Sequence, residues 1–308
     1  MSFTSDVKDE LTRVVPGCSH CEKATLAALV RIEGSLFLSG GRGYRLEVAT
    51  EISSVARLVI RLLHTIYGLR TELTVRRSVL HKTPNYLITV PAQKGLEEAL
   101  HDLGVLGSHG IEMGIDERLV EKNCCAAAYL RGAFLGSGFI SEPRGDFHFE
   151  ITVESDVQAT DIVRLLEEKG ITARISHRRS SYTVYLKSGE AISEFLALTG
   201  AFQCALAMEN ERVRKSVRND INRKVNAEVA NQAKSAEAAI DQIVSIRKLA
   251  ESGRMSTLPP GLQEVVHLRL QNPEASLKEL GERANPPLSK SAVYHRIRRL
   301  EEIAQSLD

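Results

Sequence analysis

Tryptophan is absent from this 308-residue chain, and aromatic residues make up only 5% of it. So small a supply of flat rings argues against a surface that binds single strands by stacking bases. A membrane-spanning run is missing too. The longest apolar stretch, 124–140, is broken by Arg131 and by several polar and glycine positions, and is too interrupted to cross a bilayer. The opening residues, MSFTSDVKDELTRV, mix acids and bases and lack the apolar centre of a signal peptide. Neither sign of charge is in excess. Lys and Arg number 40 against 39 Asp and Glu, a net charge of +1. That balance excludes a uniformly basic coat but leaves open a segregated one. Five cysteines, an odd count, fit a reducing cytoplasm better than a disulfide framework. What the chain does have is a 43% apolar fraction, which excludes wholesale disorder, and a length that points to more than one domain.

The chain also has an internal repeat. Thr25–Leu38 is followed by YRLEVAT, SVARLVIRLL, ELTVRRSVLHKTPNYLITV and LEEALHDLG. Ala126–Ile140 is followed by FHFEITV, DIVRLLEE, ARISHRRSSYTVYL and ISEFLALTG. Glu33 and Ser137 are 104 apart, Ile60 and Val163 103, and Tyr86 and Tyr182 96. Leu58, Leu62 and Ile66 recur at helical spacing, as do Ile162, Leu165 and Leu166. Alternating β-branched residues mark strands, as at Ile151 and Val153 or Val184 and Leu186. Thr83-Pro84-Asn85 reads as a turn between two strands. A period near 100 residues is too long for a solenoid, so each copy is expected to run helix, strand, strand, helix, strand, strand, helix. The opening helix of each copy is rich in Ala and Gly. Gly inside a helix costs about 1 kcal/mol relative to Ala, so Gly132 and Gly136 predict a close approach of two helix backbones.

The C-terminal third carries concentrated charge. Arg212, Arg214, Lys215, Arg218, Arg223 and Lys224 fall in a helical stretch whose one acid between Arg212 and Lys224 is Asp220. One-signed charge over about three turns favours phosphate contact, while a solvated bridging helix remains the plainer reading. Beyond the break at Pro259-Pro260-Gly261 three short helices follow. Ser276 with Glu279 forms a capping box for the second, Asn285-Pro286-Pro287 turns the chain, and Ser289 caps the third. Val293, Ile297 and Leu300 form the inner face of that third helix. Helix, short turn and helix with these core spacings read as a helix-turn-helix. Lys290, Arg296, Arg298 and Arg299 lie between Ser289 and Leu300 without an acid. Lys290, Ser291, Tyr294 and His295 occupy the outward N-terminal positions that enter the major groove in this motif. A small helical bundle with a basic face for protein contact is the alternative.

The two Ala/Gly-rich helices resemble the LAGLIDADG motifs of homing endonucleases, with Glu33-Gly34 similar to the motif's Asp-Gly ending. The whole chain resembles the bacterial WhiA family. The resemblance implies an α+β fold, a pseudo-twofold αββαββα repeat domain followed by a small all-α helix-turn-helix domain. The expected boundaries are an N-terminal helix and lead-in at 1–21, repeats at 22–107 and 122–204 with a linker at 108–121, a basic helical linker at 205–256 and the helix-turn-helix at 257–308.

Homing endonucleases need a carboxylate at the foot of each paired helix to hold divalent metals. Here Glu33 takes the first place and Ser137 the second, which makes Glu33 vestigial and a two-metal cut unexpected. Glu142 and Asp146 are the nearest substitutes in sequence. Arg76-Arg77 and Arg178-Arg179, 102 apart with His81, Lys82 and His177 beside them, are candidate DNA contacts on the family's saddle-shaped sheets, or else charged hairpin edges that discourage aggregation. Cys18-Ser19-His20-Cys21 has the spacing of half a zinc site, but its only partner pair is Cys124-Cys125, and adjacent cysteines chelate one ion poorly; buried thiols and no metal are expected. No cofactor is expected. By resemblance the protein is a non-enzymatic, nucleoid-associated transcription regulator of sporulation or of cell division and chromosome segregation. Double-stranded DNA is its partner, a WhiB-like iron–sulfur protein and RNA polymerase are further partners, and no membrane is involved. The rival readings are an active metal-dependent endonuclease and a protein-binding scaffold.

Overall fold

The computed structural model describes residues 2–38, 43–77 and 84–307. His81, Lys82 and Thr83 lie outside these residues, and Pro84 and Asn85 of the expected Thr83-Pro84-Asn85 turn instead belong to a strand, paired with Arg77 and Arg76. The chain divides into two compact units, Met1–Lys215 and Ser216–Asp308.

The first unit opens with α1 (Phe3–Leu11). The first repeat then runs α2 (Ser19–Glu33), β1 (Gly34–Leu38), β2 (Tyr44–Thr50), α3 (Ser53–Tyr67), β3 (Glu72–Arg77), β4 (Pro84–Val90) and α4 (Leu96–Asp102). A small hairpin, β5 (Leu106–Gly107) and β6 (Gly110–Ile111), and the short α5 (Glu117–Val120) lead to the second copy. That copy runs α6 (Asn123–Ser137), β7 (Gly138–Ile140), β8 (Phe149–Val153), α7 (Asp156–Glu167), β9 (Arg174–Arg178), β10 (Ser181–Leu186) and α8 (Gly189–Thr199). The duplicated αββαββα order is therefore present in full. Each copy folds its strands into an antiparallel four-stranded sheet, in the order β1-β2-β4-β3 and β7-β8-β10-β9.

Period-2 alternation gives each sheet one apolar face. Leu46, Val48, Ile88 and Val90 turn inward in the first sheet, and Phe149, Ile151, Val184 and Leu186 in the second. The two central helices close over these faces and are buried nearly all round, which is why their sequences lack a polar stripe. They run side by side with their N-termini together and their C-termini together. The contact is backbone-close. A Cβ placed on Gly132 would meet the Thr25 carbonyl oxygen and would lie 2.8 Å from Ala28 Cβ. The Thr25 hydroxyl, 3.0 Å from both the Cys21 and the Ala128 carbonyl oxygens, ties the helices together where they cross. At the far end each helix passes straight into a strand through a glycine. A Cβ on Gly34 would run into the carbonyl oxygen of Val30, and one on Gly138 into that of Phe134.

From α8 the chain enters α9 (Phe202–Glu251), whose first amides, Gln203 and Cys204, donate to the Glu10 carboxylate at 2.8 and 3.0 Å. This is the charge a helix N-terminus favours. α9 belongs to the first unit up to Lys215 and to the second from Ser216. The second unit continues with a 3-10 turn (Arg254–Thr257), α10 (Pro260–Gln271), α11 (Leu277–Glu282) and α12 (Lys290–Gln305). Ile246 and Leu249 of α9 join Val265, Val266, Leu280, Val293, Ile297 and Leu300 in its core. The capping box of Ser276 and Glu279 is formed, and the Ser289 hydroxyl accepts from the Ala292 amide at 3.2 Å. Arg269 is buried and donates to the Ala275 carbonyl at 2.5 Å, fixing the chain between α10 and α11.

The Gly132→Ala substitution sets two effects against each other. Helix propensity gains about 1 kcal/mol, whereas overpacking a filled contact costs about 1–3 kcal/mol. The nearest neighbour is the Thr25 backbone, which yields least, so the variant is expected to melt below the native chain in a thermal scan. An equal or higher midpoint would mean that the helices separate freely.

Candidate functional site

At the C-terminal feet of α2 and α6 the pseudo-twofold partners Glu33 and Ser137 stand in unlike surroundings. Glu33 is half-buried, and desolvation raises its carboxyl above the ordinary range, with the Lys8 ammonium pulling the other way. Lys8 comes from α1. It is only 7% exposed, donates to the Gly136 carbonyl at 2.7 Å and lies 5.9 Å from the Phe134 ring centroid. Burial pushes its ammonium down to about 8, against the attraction of Glu33 and Glu51. Ser137 Oγ is buried and has no hydrogen-bond partner among the described residues. Glu142, the expected substitute, is engaged elsewhere, since its Oε1 accepts from the Phe3 amide at 2.9 Å. Asp146 is exposed in the β7–β8 connection, where its carbonyl accepts from Ser141 Oγ. The first foot carries Glu33, with Glu51 and the buried Lys8 ammonium beside it, and the second carries only a neutral hydroxyl, which does not supply the paired anionic oxygens that two divalent cations need. Sequence reading missed Lys8. The signal was there, because Phe3, Val7 and Leu11 form the buried side of α1 and Lys8 flanks it.

The open faces of the two sheets carry the expected arginines unequally. Register pairs Arg76 with Asn85 and Arg178 with Ser181, so both stand at equivalent positions on the face away from the helices, and both are exposed. Arg77 pairs with Pro84 at the end of β3. Arg179 is no strand residue; it opens the two-residue turn between β9 and β10 with a φ of 54°, in the left-handed region. The His177 ring packs at a tilt against Tyr182, centroids 4.6 Å apart. Arg178 shares a shallow groove on the second sheet with His148, Glu150, Ser176, Thr183, Tyr185 and Lys187, and of these only Arg178 was singled out from the sequence. His148 Nε2 lies 3.1 Å from Glu150, which offsets part of the groove's positive charge.

Along α9 the basic run is less free than its composition implied. Arg212 pairs with Glu209 at 2.8 Å, Arg214 with Glu211 at 2.7 Å, and Arg223 with Asp220. Lys215 bends onto the first unit, donating to the Gly145 carbonyl with its ammonium 3.9 Å from the Phe147 ring centroid. Arg218 and Lys224 are exposed and have no ion-pair partner among the described residues. Exposed i,i+3 pairs contribute roughly 0–1 kcal/mol, so the three paired arginines can exchange partners, whereas Lys215 has a structural role.

α12 presents its N-terminal half as the sequence implied, with one correction. Lys290, Ser291, Tyr294, His295, Arg298 and Arg299 are exposed, while Val293, Ile297 and Leu300 point inward. Arg296 does not belong to the exposed set. Its Nη1 donates to Glu264 Oε2 at 3.0 Å and to the Gly261 carbonyl at 3.2 Å, which binds α12 to α10. Two turns of helix carry Arg296 round toward α10, and the acid that meets it lies 32 residues upstream. Glu302 approaches Arg299 at 3.0 Å and Arg298 at 3.8 Å, so the cationic face has an acidic margin just beyond Leu300.

The cysteines also depart from expectation. Cys18 caps α2, Cys21 lies in its first turn, and Cys124 and Cys125 lie in the first turn of α6. All four Sγ atoms fall within 4.8 Å of one another, so the adjacency of Cys124 and Cys125 does not keep them apart from the other pair. Hydrogen bonding with Cys21 draws the Cys18 thiol down to about 6, and burial raises Cys21 and Cys125, the latter to about 11.

Lys8 generates a test of its own. Its folded value of about 8 lies below the ordinary 10.5, so between these limits the unfolded chain binds more protons and stability rises with pH. The native chain is therefore expected to gain thermal stability relative to a Lys8→Met variant as pH rises through that window. Parallel curves would assign Lys8 an ordinary proton affinity.

The family model of the WhiA N-terminal LAGLIDADG-like domain matches residues 19–106. That of the WhiA LAGLIDADG-like domain matches 126–218, and that of the WhiA C-terminal HTH domain matches 221–304. The chain is 43% identical to the "Probable cell division protein WhiA" of Heliobacterium modesticaldum, over 99% of this chain and 97% of that protein. It is 44% identical to the protein of the same name from Desulforamulus reducens, over 100% and 96%. Its fold is similar to the crystal structure of full-length WhiA from Thermatoga maritima, with a TM-score of 0.61 and 24% identity over 99% of both chains. No helix among the described residues is long and apolar enough to cross a membrane. On three matching family models and relatives alike over nearly their whole length, the chain belongs to the WhiA family.

Proposed function

We propose that this protein is a sequence-specific DNA-binding regulator of transcription. It acts in cell division and chromosome segregation, or in sporulation, and its LAGLIDADG-like unit no longer cuts DNA. The observation that carries this reading is the face of α12. A serine-capped N-terminus offers Lys290, Ser291, Tyr294 and His295 to solvent above a packed core, with Arg298 and Arg299 one to two turns on. In a helix-turn-helix those first turns reach base edges, and the later cations hold phosphates. Arg218, Lys224 and the exchangeable Arg212, Arg214 and Arg223 add phosphate contacts along α9. Arg76 and Arg178 are the sheet positions from which the first unit would reach DNA, with Arg77 and Arg179 beside them; Lys215 and Arg296 act by packing. The name carried by the relatives, a probable cell division protein, supports the cellular role. Family resemblance supports a WhiB-like iron–sulfur protein and RNA polymerase as partners, and a place on the nucleoid in the cytoplasm. The unlike feet of α2 and α6, with the neutral Ser137 on one and the Lys8 ammonium near Glu33 on the other, support loss of cleavage.

Binding of the full-length chain to genomic fragments at fixed salt tests the proposal. Lys290→Ala is expected to leave the melting curve unchanged and to weaken specific binding by about 1–3 kcal/mol, the size of one good base contact. Arg296→Ala is expected to lower the thermal stability of the second unit instead, through loss of the Glu264 pair. Equal specific affinity for native and Lys290→Ala proteins would remove α12 as the reading helix. In Mg²⁺ or Mn²⁺ the bound DNA is expected to stay intact, and cuts that vanish in Glu33→Ala would restore the nuclease reading.

A further inference from the structure

The four-cysteine cluster lies at the opposite end of the central helix pair from Glu33 and Ser137, and nothing in the DNA-binding reading uses it. Two elements supply it, a Cys-x-x-Cys step at the start of α2 and the adjacent pair at the start of α6. The thiols are 103 to 107 residues apart in sequence between pairs, yet every Sγ lies within 4.8 Å of the other three. Zinc–thiolate bonds of about 2.3 Å place the corners of a tetrahedron about 3.8 Å apart. The cluster matches that size. An iron–sulfur cluster interposes iron and sulfide between its thiolates and needs a wider cage. Cys18 and Cys21 are 3.2 Å apart at sulfur, well beyond the ~2.05 Å of a disulfide.

We propose that Cys18, Cys21, Cys124 and Cys125 bind one structural zinc ion that staples the N-termini of α2 and α6, and so joins the two repeats.

Four features of the site suit that role. All four ligands are thiols, the donor set of closed structural zinc sites. The burial is graded, with Cys21 and Cys125 buried, Cys18 half-buried and Cys124 exposed, which gives an ion a route in and then shields it. The cluster sits at the N-terminal ends of two helices, whose dipoles favour the net negative charge of a tetrathiolate site. Arg131, one face along α6, has its guanidinium half-buried within the field of Cys21 and is held in place by donating to the Thr199 carbonyl at 2.7 Å. Binding is balanced as ligand exchange: zinc enters, up to four thiol protons leave to solvent, and no oxidant is consumed.

Metal analysis of the full-length protein, purified under reducing conditions and supplied with zinc, tests this directly. About one zinc per chain is expected. Cobalt(II) in its place is expected to give thiolate-to-metal charge-transfer and tetrahedral ligand-field bands. Cys124→Ser is expected to weaken cobalt binding by more than about tenfold, because Cys124 is a direct ligand. That site is exposed, so the variant is expected to fold. Stripping zinc with a chelator is expected to lower the melting temperature reversibly and to unmask four thiols to a thiol reagent, with Cys204 outside the set. A zinc-supplied protein with no bound metal and four freely reacting thiols would overturn the proposal. So would an iron–sulfur spectrum, or a cobalt spectrum unchanged in Cys124→Ser.

Discussion

Two helices, α2 and α6, touch along their backbones, and almost everything else in the first unit is arranged by that contact. Gly132 and Ala28 leave room for it, and the Thr25 hydroxyl crosses it. Because the helices run parallel, the contact brings together two pairs of chain segments about a hundred residues apart. Their N-termini gather four thiols. Their C-termini gather Glu33, Gly136 and Ser137, and receive Lys8 from α1. It also orients the sheets, since each helix passes through a glycine directly into the first strand of its own sheet.

The two ends of the helix pair differ in chemistry. At the C-terminal feet a cation is already supplied by the protein. Lys8 has its ammonium buried near Glu33 and Glu51, at a cost in desolvation that its lowered proton affinity records. A buried ammonium beside Glu33 and Glu51 opposes a divalent metal by charge. At the N-terminal end four thiols, each able to become an anion, lie within 4.8 Å of one another.

Repeat architecture was legible in the sequence because the period-2 and 3.6 patterns persist in both copies. Arg76 and Arg178 were legible for the same reason: 102 residues apart, they keep the same parity on equivalent strands and so face the same way. The outward face of α12 followed from Val293, Ile297 and Leu300 facing inward. Arg296, Lys215 and Lys8 were not legible as structural residues. Each is held by a group distant in sequence, namely Glu264, Gly145 and Gly136. Arg296 and Lys215 sit in basic runs that carry no local mark of such a partner, whereas the one local signal for Lys8 is its place beside the apolar side of α1. Arg179 read as a strand residue but opens a turn, because hairpin length is set by strand pairing across Arg178 and Ser181.

By itself the sequence determined the order of elements in each repeat, that the order occurs twice, and which helix of the last unit turns its polar N-terminal half outward, but not the small hairpin and short helix between the repeats. Those outcomes depend on local periodicity and on caps such as Ser276 and Ser289, which act within one turn of helix. Only tertiary structure decided which charges are free and which are spent on packing, and whether Cys124 and Cys125 stand near Cys18 and Cys21. Those outcomes depend on distances between segments far apart in the chain, fixed by the close approach of two backbones that a sequence pattern can permit but not measure.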